Sequence, residues 1–224
     1  MYRAENKYAP SDIDFTVLKR KIASILPWDH SSDMNGGYKI SSLYFDDIYD
    51  THLMDTVNGN PIRKKFRIRI YNDSFSVIKL EVKYKYYNRI KKNSVSISFE
   101  QMKALVNGIP VDSPDSMDDP RTEFNMAIRR YGLRPKVIVT YDRSAFVYDS
   151  GNIRITFDEN LRGSSCIDLF GNSNLIYDFP ECENSVLEVK YDEFLPDFIA
   201  QTLEIDSMWQ TSFSKYSVCR GIYI

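Results

Sequence analysis

Basic and apolar side chains alternate strictly along two neighbouring stretches of the chain. In the first stretch, residues 65–71, Arg67 and Arg69 fall on one face of an extended strand, and in the second, residues 78–83, Glu81 falls on the polar face. A guanidinium group can form two parallel hydrogen bonds to the oxygens of one phosphate. A strand face with several such groups is therefore typical of an anion site. The alternative is an ordinary solvated face, since antiparallel sheets commonly expose one side to water.

Turn-forming residues separate the two stretches and predict a hairpin. The sequence Asn72-Asp73-Ser74 lies between them, and these residue types favour tight turns. If Ser74 lies near the centre of the turn, Arg67 lies opposite Glu81 and Arg69 lies opposite Lys79. All of these charges then share one face of the hairpin.

The same polar and apolar alternation recurs on other predicted strands. Their polar faces carry Glu5, Lys7, Arg143, Arg154, Glu188 and Lys190. An antiparallel sheet that is charged on one side and apolar on the other closes into a barrel with helices outside and a hydrated, cationic channel inside. Such a channel suits a linear polyanion, and its few glutamates suit a divalent cation that bridges phosphates. The predicted fold class is therefore α+β, with a closed antiparallel barrel.

Periodicity and capping residues predict the remaining elements. Helices are predicted from Ser11 to Pro27, over Asp47–Val57, Phe99–Asn107 and Pro120–Tyr131, over 196–205, and at the end of 211–221. Further strands are predicted over Tyr38–Asp46 and Val186–Tyr191, with a hairpin turn over 149–152. We expect a basic turn over 85–93, a short strand near 175–177, and Asp158 at the surface or in a turn.

Composition narrows the class of protein. The 224 residues include 29 basic and 31 acidic side chains, whereas a nucleic-acid-binding protein is usually basic overall. Three cysteines without paired or metal-ligand spacing predict plain thiols in a reducing compartment. We find no signal peptide and no apolar run that could span a membrane, which predicts a cytoplasmic chain whose membrane role would need a separate partner. One domain over residues 1–224 is expected.

An ordered set of short motifs runs through the chain. The motifs are Arg3-x-Glu5-x-Lys7-Tyr8, Ser42-Leu43-Tyr44-Phe45-Asp46, Arg67-x-Arg69, Leu80-Glu81-Val82-Lys83, Leu187-Glu188-Val189-Lys190 and Phe213-Ser214-Lys215-Tyr216. Together they resemble the VTC domain, the polyphosphate polymerase domain of the CYTH-like triphosphate tunnel metalloenzyme superfamily, in its free-standing bacterial form. The superfamily begins with Glu-x-Glu-x-Lys. Here Arg3 replaces the first Glu, which fits the polymerase branch better than a two-metal hydrolase.

The resemblance implies a closed barrel of eight antiparallel strands that forms a tunnel. It also implies an enzyme that makes inorganic polyphosphate from ATP with Mn²⁺ or Mg²⁺, with pyrophosphate as a further ligand. It implies that Arg67, Arg69, Lys215 and Glu188 are catalytic and that Glu188 binds the metal. Tyr141 is expected beside the phosphates. We interpret Glu5 and Glu81 as further members of the site, Glu81 chiefly as the partner of Arg67 or Lys83. The implied phosphate-binding residues are Lys7, Arg67, Arg69, Lys83, Arg143, Arg154, Lys190 and Lys215.

Two other functions remain open at this point. A tripolyphosphatase or nucleoside triphosphatase could use the same tunnel with water as the nucleophile. A domain without turnover could instead bind polyphosphate or inositol phosphates as a sensor that regulates a membrane partner. The chain has no glycine-rich phosphate loop.

Overall fold

The hairpin that carries Arg67 and Arg69 forms as its alternation predicts. A computed structural model describes residues 3–29, 36–182, 185–204 and 208–221. In it, Asn72 and Asp73 both have positive φ angles and join the two strands. Antiparallel pairing places Arg67 opposite Glu81 and Arg69 opposite Lys79, which confirms the predicted register.

Runs of strands are separated by helices along the chain, as is typical of an α+β fold. The strands are β1 (Arg3–Tyr8), β2 (Tyr38–Asp46), β3 (Ile62–Tyr71), β4 (Ser74–Tyr86), β5 (Arg89–Ser96), β6 (Arg134–Tyr148), β7 (Ile153–Ser164), β8 (Phe179–Cys182) and β9 (Val186–Tyr191). The helices are α1 (Asp12–Ile25), α2 (Thr51–Val57), α3 (Phe99–Val106), α4 (Pro120–Tyr131), α5 (Asp197–Thr202) and α6 (Lys215–Val218).

Hydrogen bonding orders the strands β6-β2-β3-β4-β5-β1-β9-β7-β8, and β6 also pairs with β7. The first eight strands of that order therefore close into the predicted antiparallel barrel, with the helices packed outside and the short β8 beside β7. The described part of the chain has no helix that combines the length and apolarity of a membrane crossing. Its described free cysteines include Cys166 and Cys219, as expected of plain thiols.

Contacts between Cα atoms divide the chain into two compact units. The first unit comprises Met1–Lys39, Tyr141–Leu161 and Glu181–Phe213, and the second comprises Ile40–Thr140, Arg162–Pro180 and Ser214–Ile224. Each unit has its own hydrophobic core. The expectation of one domain over residues 1–224 stays a prediction.

Apolar faces of the strands supply both cores. In the second unit, Phe66 and Leu80 pack with Leu105 of α3 and Phe124 of α4, all of them fully buried. In the first unit, a comparable core forms from the apolar side of β7 and β9 with α1 and α5. Because side chains alternate along a strand, burial of these faces turns the charged residues to the other side of the sheet.

Helix boundaries follow local capping chemistry. Ser11 caps α1 through a hydrogen bond from the Asp14 backbone N–H, and α4 ends at Gly132, whose φ of 64° lies in the left-handed region that glycine tolerates. Helix α2 begins at Thr51, four residues after the predicted start at Asp47. The reason is that the Asp47 carboxylate accepts hydrogen bonds from the backbone of residues 49 and 51 and holds residues 47–50 in a turn.

Three other predictions of secondary structure were wrong. The supposed basic turn over 85–93 is mostly strand, since β4 continues to Tyr86 and β5 begins at Arg89. Residues 175–177 form a loop whose Leu175 packs against the core, and the short strand is β8 instead. Helix α5 is shorter than the predicted 196–205, and residue 205 lies outside the described part of the chain.

Asp46 joins β2 to two helices and provides a test of the fold. Its fully buried carboxylate accepts hydrogen bonds from the backbone N–H groups of Asp47, His52 and Leu53 and from the Tyr216 hydroxyl. We expect Asp46→Ala to lower the free energy of unfolding by about 3 kcal/mol, because bonds to a buried carboxylate are strong and their donors would lose their partner.

Chemical denaturation measures this loss. Asp118→Ala is the control, since Asp118 is exposed and pairs with Lys91 at the surface, so the change should stay within about 0.5 kcal/mol. Equal effects of the two substitutions would contradict this role of Asp46.

Candidate functional site

A buried carboxylate organises the cationic face of the second unit. Glu81 is 1% exposed. Its Oε2 accepts hydrogen bonds from Nε and Nη2 of Arg67, each at 2.7 Å, and lies 4.0 Å from Nε of Arg69. Its Oε1 accepts a hydrogen bond from Lys92 Nζ at 2.6 Å. We call Arg67, Arg69, Glu81, Lys92 and Tyr44 the Glu81 cluster.

Strand register assembles this cluster. Tyr44 of β2 pairs with Arg67 of β3, Arg67 pairs with Glu81 of β4, and Glu81 pairs with Ser94 of β5. The Tyr44 hydroxyl accepts a hydrogen bond from Arg67 Nη1 at 3.0 Å. Arg69, on the next row, donates to the Ser42 hydroxyl at 3.1 Å. Neighbours of this kind follow directly from antiparallel pairing.

The Glu81 cluster retains excess positive charge around its one carboxylate. Burial opposes ionisation of Glu81, but Arg67, Arg69 and Lys92 hold the pKa of its carboxyl well below its ordinary value. Burial also opposes ionisation of the Tyr44 phenol, yet Arg67 and Arg69 lower the pKa of Tyr44. A buried phenol with a lowered pKa indicates a positive local potential, which favours binding of an anion.

Lys92 belongs to the cluster although sequence analysis placed it in a turn. In the second unit, Lys65, Lys83 and Lys92 form one row across β3, β4 and β5. Of the Lys92 side chain, 43% is exposed, but its ammonium group lies against Glu81. Burial and the charges of Arg67 and Arg69 lower the pKa of Lys92 to about 8, against the opposing effect of Glu81. The signal that could have found it is the alternation of Lys92, Ser94 and Ser96 along β5.

Lys215 stands at the start of α6 in the same unit. The preceding residue, Ser214, caps this helix and accepts a hydrogen bond from Lys65 Nζ at 2.8 Å. Lys215 itself is half-buried, as are Lys83 and Lys65. Strand pairing and this cap therefore gather the predicted Arg67, Arg69, Lys83 and Lys215 within the second unit.

The first unit carries a second set of charges on β1, β9 and β7. One row consists of Glu5, Lys190 and Arg154, and the next consists of Lys7, Glu188 and Thr156. The Lys190 ammonium forms ion pairs with Glu188 and with Glu5, the latter at 3.6 Å. Lys7 donates a hydrogen bond to the Phe213 carbonyl at 2.8 Å. We call these two rows the Lys190 cluster.

Arg143 and Arg154 are fixed by carboxylates of their own in the first unit. Arg143 is buried and donates Nε and Nη2 to the two oxygens of Asp158 at 2.6 and 2.7 Å. Although burial lowers it, the pKa of Arg143 is raised well above its ordinary value, chiefly by Asp158 and then by Tyr141 and Glu188. The predicted surface position of Asp158 is therefore wrong. Its 2% exposure is tolerated because Arg143 neutralises it.

Aromatic side chains complete this part of the first unit. The Tyr141 ring lies 5.3 Å from the Arg143 guanidinium carbon, a cation–π distance. Arg154 donates to the Tyr38 hydroxyl at 2.8 Å and pairs with Asp29 at 2.8 Å. Burial raises the pKa of Tyr38, although Arg143 and Arg154 oppose this, so its hydroxyl remains protonated at neutral pH.

The oxygen ligands in the first unit fit a divalent ion that is shared with phosphate. Glu188 and Glu5 both approach Lys190, and the buried Thr156 hydroxyl beside Glu188 has no hydrogen-bond partner among the described residues. Among the described residues, no three His, Cys, Asp or Glu side chains form a ready-made cage for a metal ion. Mg²⁺ commonly binds through one or two carboxylates together with substrate phosphates, and this arrangement meets that requirement.

Each unit thus carries rows of charged side chains on strands of an antiparallel barrel. The model of the VTC domain family matches residues 2–223. The chain therefore belongs to the VTC domain family, as its motifs indicated. No curated protein matches this sequence.

Solved structures of low sequence identity share the fold. A candidate adenylate cyclase from Bacillus halodurans is 16% identical, with a TM-score of 0.54 over 93% of this chain and 92% of that one. A candidate adenylyl cyclase from Hippeastrum, described as having a dominant triphosphatase activity, is 14% identical, with a TM-score of 0.55 over 98% of this chain and 95% of that one.

Removal of the Glu81 charge tests how the Glu81 cluster is held together. In Glu81→Gln, Arg67, Arg69 and Lys92 would repel one another without a counter-charge, so we expect the free energy of unfolding at pH 7 to fall by about 3 kcal/mol. The exposed Glu193→Gln is the control and should change it by less than about 0.5 kcal/mol.

The loss of unfolding free energy in Glu81→Gln should depend on pH. Because the pKa of Glu81 is lower in the folded state than in the unfolded state, its contribution is complete above its ordinary pKa and disappears as pH falls through the folded value. Urea denaturation at a series of pH values below neutrality should therefore show the two proteins converging in acid. A constant difference down to the acid transition would contradict the assignment.

Proposed function

We propose that this protein is a polyphosphate polymerase that transfers the γ-phosphoryl group of ATP to the end of a growing inorganic polyphosphate chain. The observation that supports this most is the positively charged Glu81 cluster, built around a buried carboxylate, in a chain of the VTC domain family. Arginine and lysine groups that are already oriented by Glu81 would bind consecutive phosphates without reorganisation.

The transfer needs no base from the protein. The bond between the γ-phosphorus and the β–γ bridging oxygen breaks, and a bond forms from a terminal oxygen of the acceptor chain to the γ-phosphorus. That acceptor oxygen is already ionised, and ADP leaves with the electron pair of the broken bond. The work of the protein is to hold donor and acceptor in line and to neutralise charge, which in this proposal falls to Arg67, Arg69 and Lys215.

A divalent ion, Mn²⁺ or Mg²⁺, would be held by Glu188 with Glu5 and Thr156 beside it. When bound, it supplies neutralisation of the charge on the phosphate oxygens. Lys190, placed between the two carboxylates, would keep them oriented and would itself contact phosphate, as would Lys7, Arg143 and Arg154. Pyrophosphate would bind the same residues.

The environment of Arg3 supports synthesis over hydrolysis. Arg3 of β1 pairs with Asp192 at 2.8 Å and donates to the Asn152 carbonyl. A carboxylate at position 3 would add a metal ligand to those of Glu5 and Glu188. With arginine there, the strand offers fewer ligands for a second metal ion that would activate water.

Replacement of Arg67 tests the proposed activity. Incubation of the pure protein with ATP and Mn²⁺, followed by gel staining for polyphosphate, should show long polymer for the wild type. Arg67→Ala should reduce the rate at least about 100-fold while the protein stays folded, because a preorganised cation for the transferred phosphate is lost.

Arg130→Ala is the matched control for this experiment, since Arg130 is an exposed cation on α4. Polymer formation at the parent rate by Arg67→Ala would disprove the site. Release of phosphate alone by the wild type would identify a triphosphatase, the activity described for the Hippeastrum protein. Binding of tripolyphosphate without turnover would identify a sensor.

The lowered pKa of Lys92 predicts that polyphosphate binding depends on pH. Its pKa of about 8 in the free protein should rise when an anion binds, because the anion favours the protonated amine. Below pH 8, Lys92 is protonated and contributes fully to the affinity for tripolyphosphate. The affinity should decline as pH rises through that value, because the free protein then loses the charge of Lys92.

Lys92→Arg separates this effect from the titration of tripolyphosphate itself, because arginine stays charged throughout. The ratio of the wild-type to the Lys92→Arg dissociation constant should rise about threefold or more between pH 7 and pH 9 in calorimetric titrations. A ratio that does not change with pH would show that Lys92 takes no part in binding.

A further inference from the structure

The aromatic ring of Tyr216 packs against one member of the Glu81 cluster, Tyr44. Tyr216 lies on α6 and is 2% exposed. Its ring stacks on that of Tyr44, with centroids 5.0 Å apart and planes inclined by 21°. Tyr44 is the member of the cluster that accepts the hydrogen bond from Arg67 Nη1. A residue on the C-terminal helix thus contacts the phenol that contacts Arg67.

Three hydrogen bonds set the plane of the Arg67 guanidinium. Nε and Nη2 are directed to Glu81, and Nη1 is directed to the Tyr44 hydroxyl. Because a guanidinium group is planar with donors in fixed directions, contacts on two of its sides fix its orientation. Glu81 is held by Lys92 as well, whereas the Tyr44 ring is held in place by Tyr216.

Polar contacts at its far end immobilise the Tyr216 ring. Its hydroxyl donates to Asp46 Oδ2 at 2.7 Å and accepts a hydrogen bond from Arg220 Nη1 at 3.1 Å. Burial and the charge of Asp46 raise the pKa of Tyr216, so the hydroxyl remains a donor. Arg220 in turn binds both oxygens of Asp50, at 2.8 and 3.1 Å.

Close packing also holds α6 itself. A side chain at Gly163 would place its Cβ 2.7 Å from Cys219 Cβ, so only glycine allows β7 and this segment to approach as they do. At the other end of the helix, Lys65 donates to Ser214 and its ammonium group lies 5.6 Å from the Tyr216 ring. The ring therefore has little freedom to move away from Tyr44.

We propose that Tyr216 is a positioning residue, whose ring keeps Tyr44 in place and thereby keeps the Arg67 guanidinium in the orientation that binds phosphate. This inference deepens the proposed function and depends on Arg67 being a phosphate ligand. The contribution of Tyr216 comes from its ring, and its hydroxyl serves to anchor that ring to Asp46 and Arg220.

A double-mutant cycle between Tyr216 and Arg67 tests the proposal, with tripolyphosphate as the probe and calorimetry at 20 °C as the measurement. Tyr216→Leu removes the stacked ring and should weaken binding about 10-fold, whereas Tyr216→Phe keeps the ring and should stay within about threefold of the wild type. In an Arg67→Ala background, Tyr216→Leu should have almost no further effect, because its action passes through Arg67.

Val218→Ala is the matched control for loss of packing. Val218 is a buried apolar residue of the same helix, so this change lowers stability without removing the stacked ring. It should leave the affinity within about twofold of the wild type at a temperature where every variant is folded. Where the wild type turns ATP over, Tyr216→Leu should reduce kcat more than it raises KM, since a misplaced guanidinium mainly affects the transition state.

The outcomes separate this proposal from the proposed function. Additive effects of Tyr216→Leu and Arg67→Ala, or an equal loss in Val218→Ala, would show that Tyr216 only supports the fold. A wild type that binds tripolyphosphate but makes no polymer would disprove the polymerase and leave the cycle as the test of positioning. A wild type that binds no tripolyphosphate would overturn both.

Discussion

Repulsion between like charges on one face of a sheet is the constraint that shapes the charged rows of each unit. Two cations on neighbouring strands repel each other by a few kcal/mol unless a carboxylate lies between or beside them. In the second unit, the Glu81 carboxylate accepts hydrogen bonds from both Arg67 and Lys92. In the first unit, Asp158 forms an ion pair with Arg143, and Asp29 forms one with Arg154. The carboxylates make it possible to keep Arg143 buried and Arg67 and Arg154 partly buried.

The same carboxylates leave the cations oriented for an anion. In the proposed function, a guanidinium group that is already fixed on one side by Glu81 or Asp158 would bind phosphate without first losing conformational freedom. The charge is not fully neutralised, since the phenol of Tyr44 has a lowered pKa in spite of its burial. A polyanion would supply the missing negative charge, and it could do so along several rows of one sheet.

The outer side of the strands provides the rigidity that this arrangement requires. Apolar residues on the reverse faces of β3 and β4 pack against α3 and α4, so the strands that carry Arg67, Arg69 and Glu81 cannot shift without opening the core. The C-terminal helix adds a further support, since Tyr216 reaches Asp46 by its hydroxyl and Tyr44 by its ring. A helix that follows the last strand, α6, thereby contacts and stabilises residues at the end of β2.

The sequence by itself determined which residues share a face and which are neighbours in the hairpin. Arg67 opposite Glu81 was predictable because alternation has a period of two residues and the turn is short. Only the tertiary structure decided that Lys92 lies on a strand against Glu81, that Asp158 is buried against Arg143, and that Tyr216 stacks on Tyr44. The physical reason is that a buried charge or ring depends on its partner. Where that partner comes from another strand pairing or from helix packing, alternation can indicate the face on which a residue lies but not which residue it contacts.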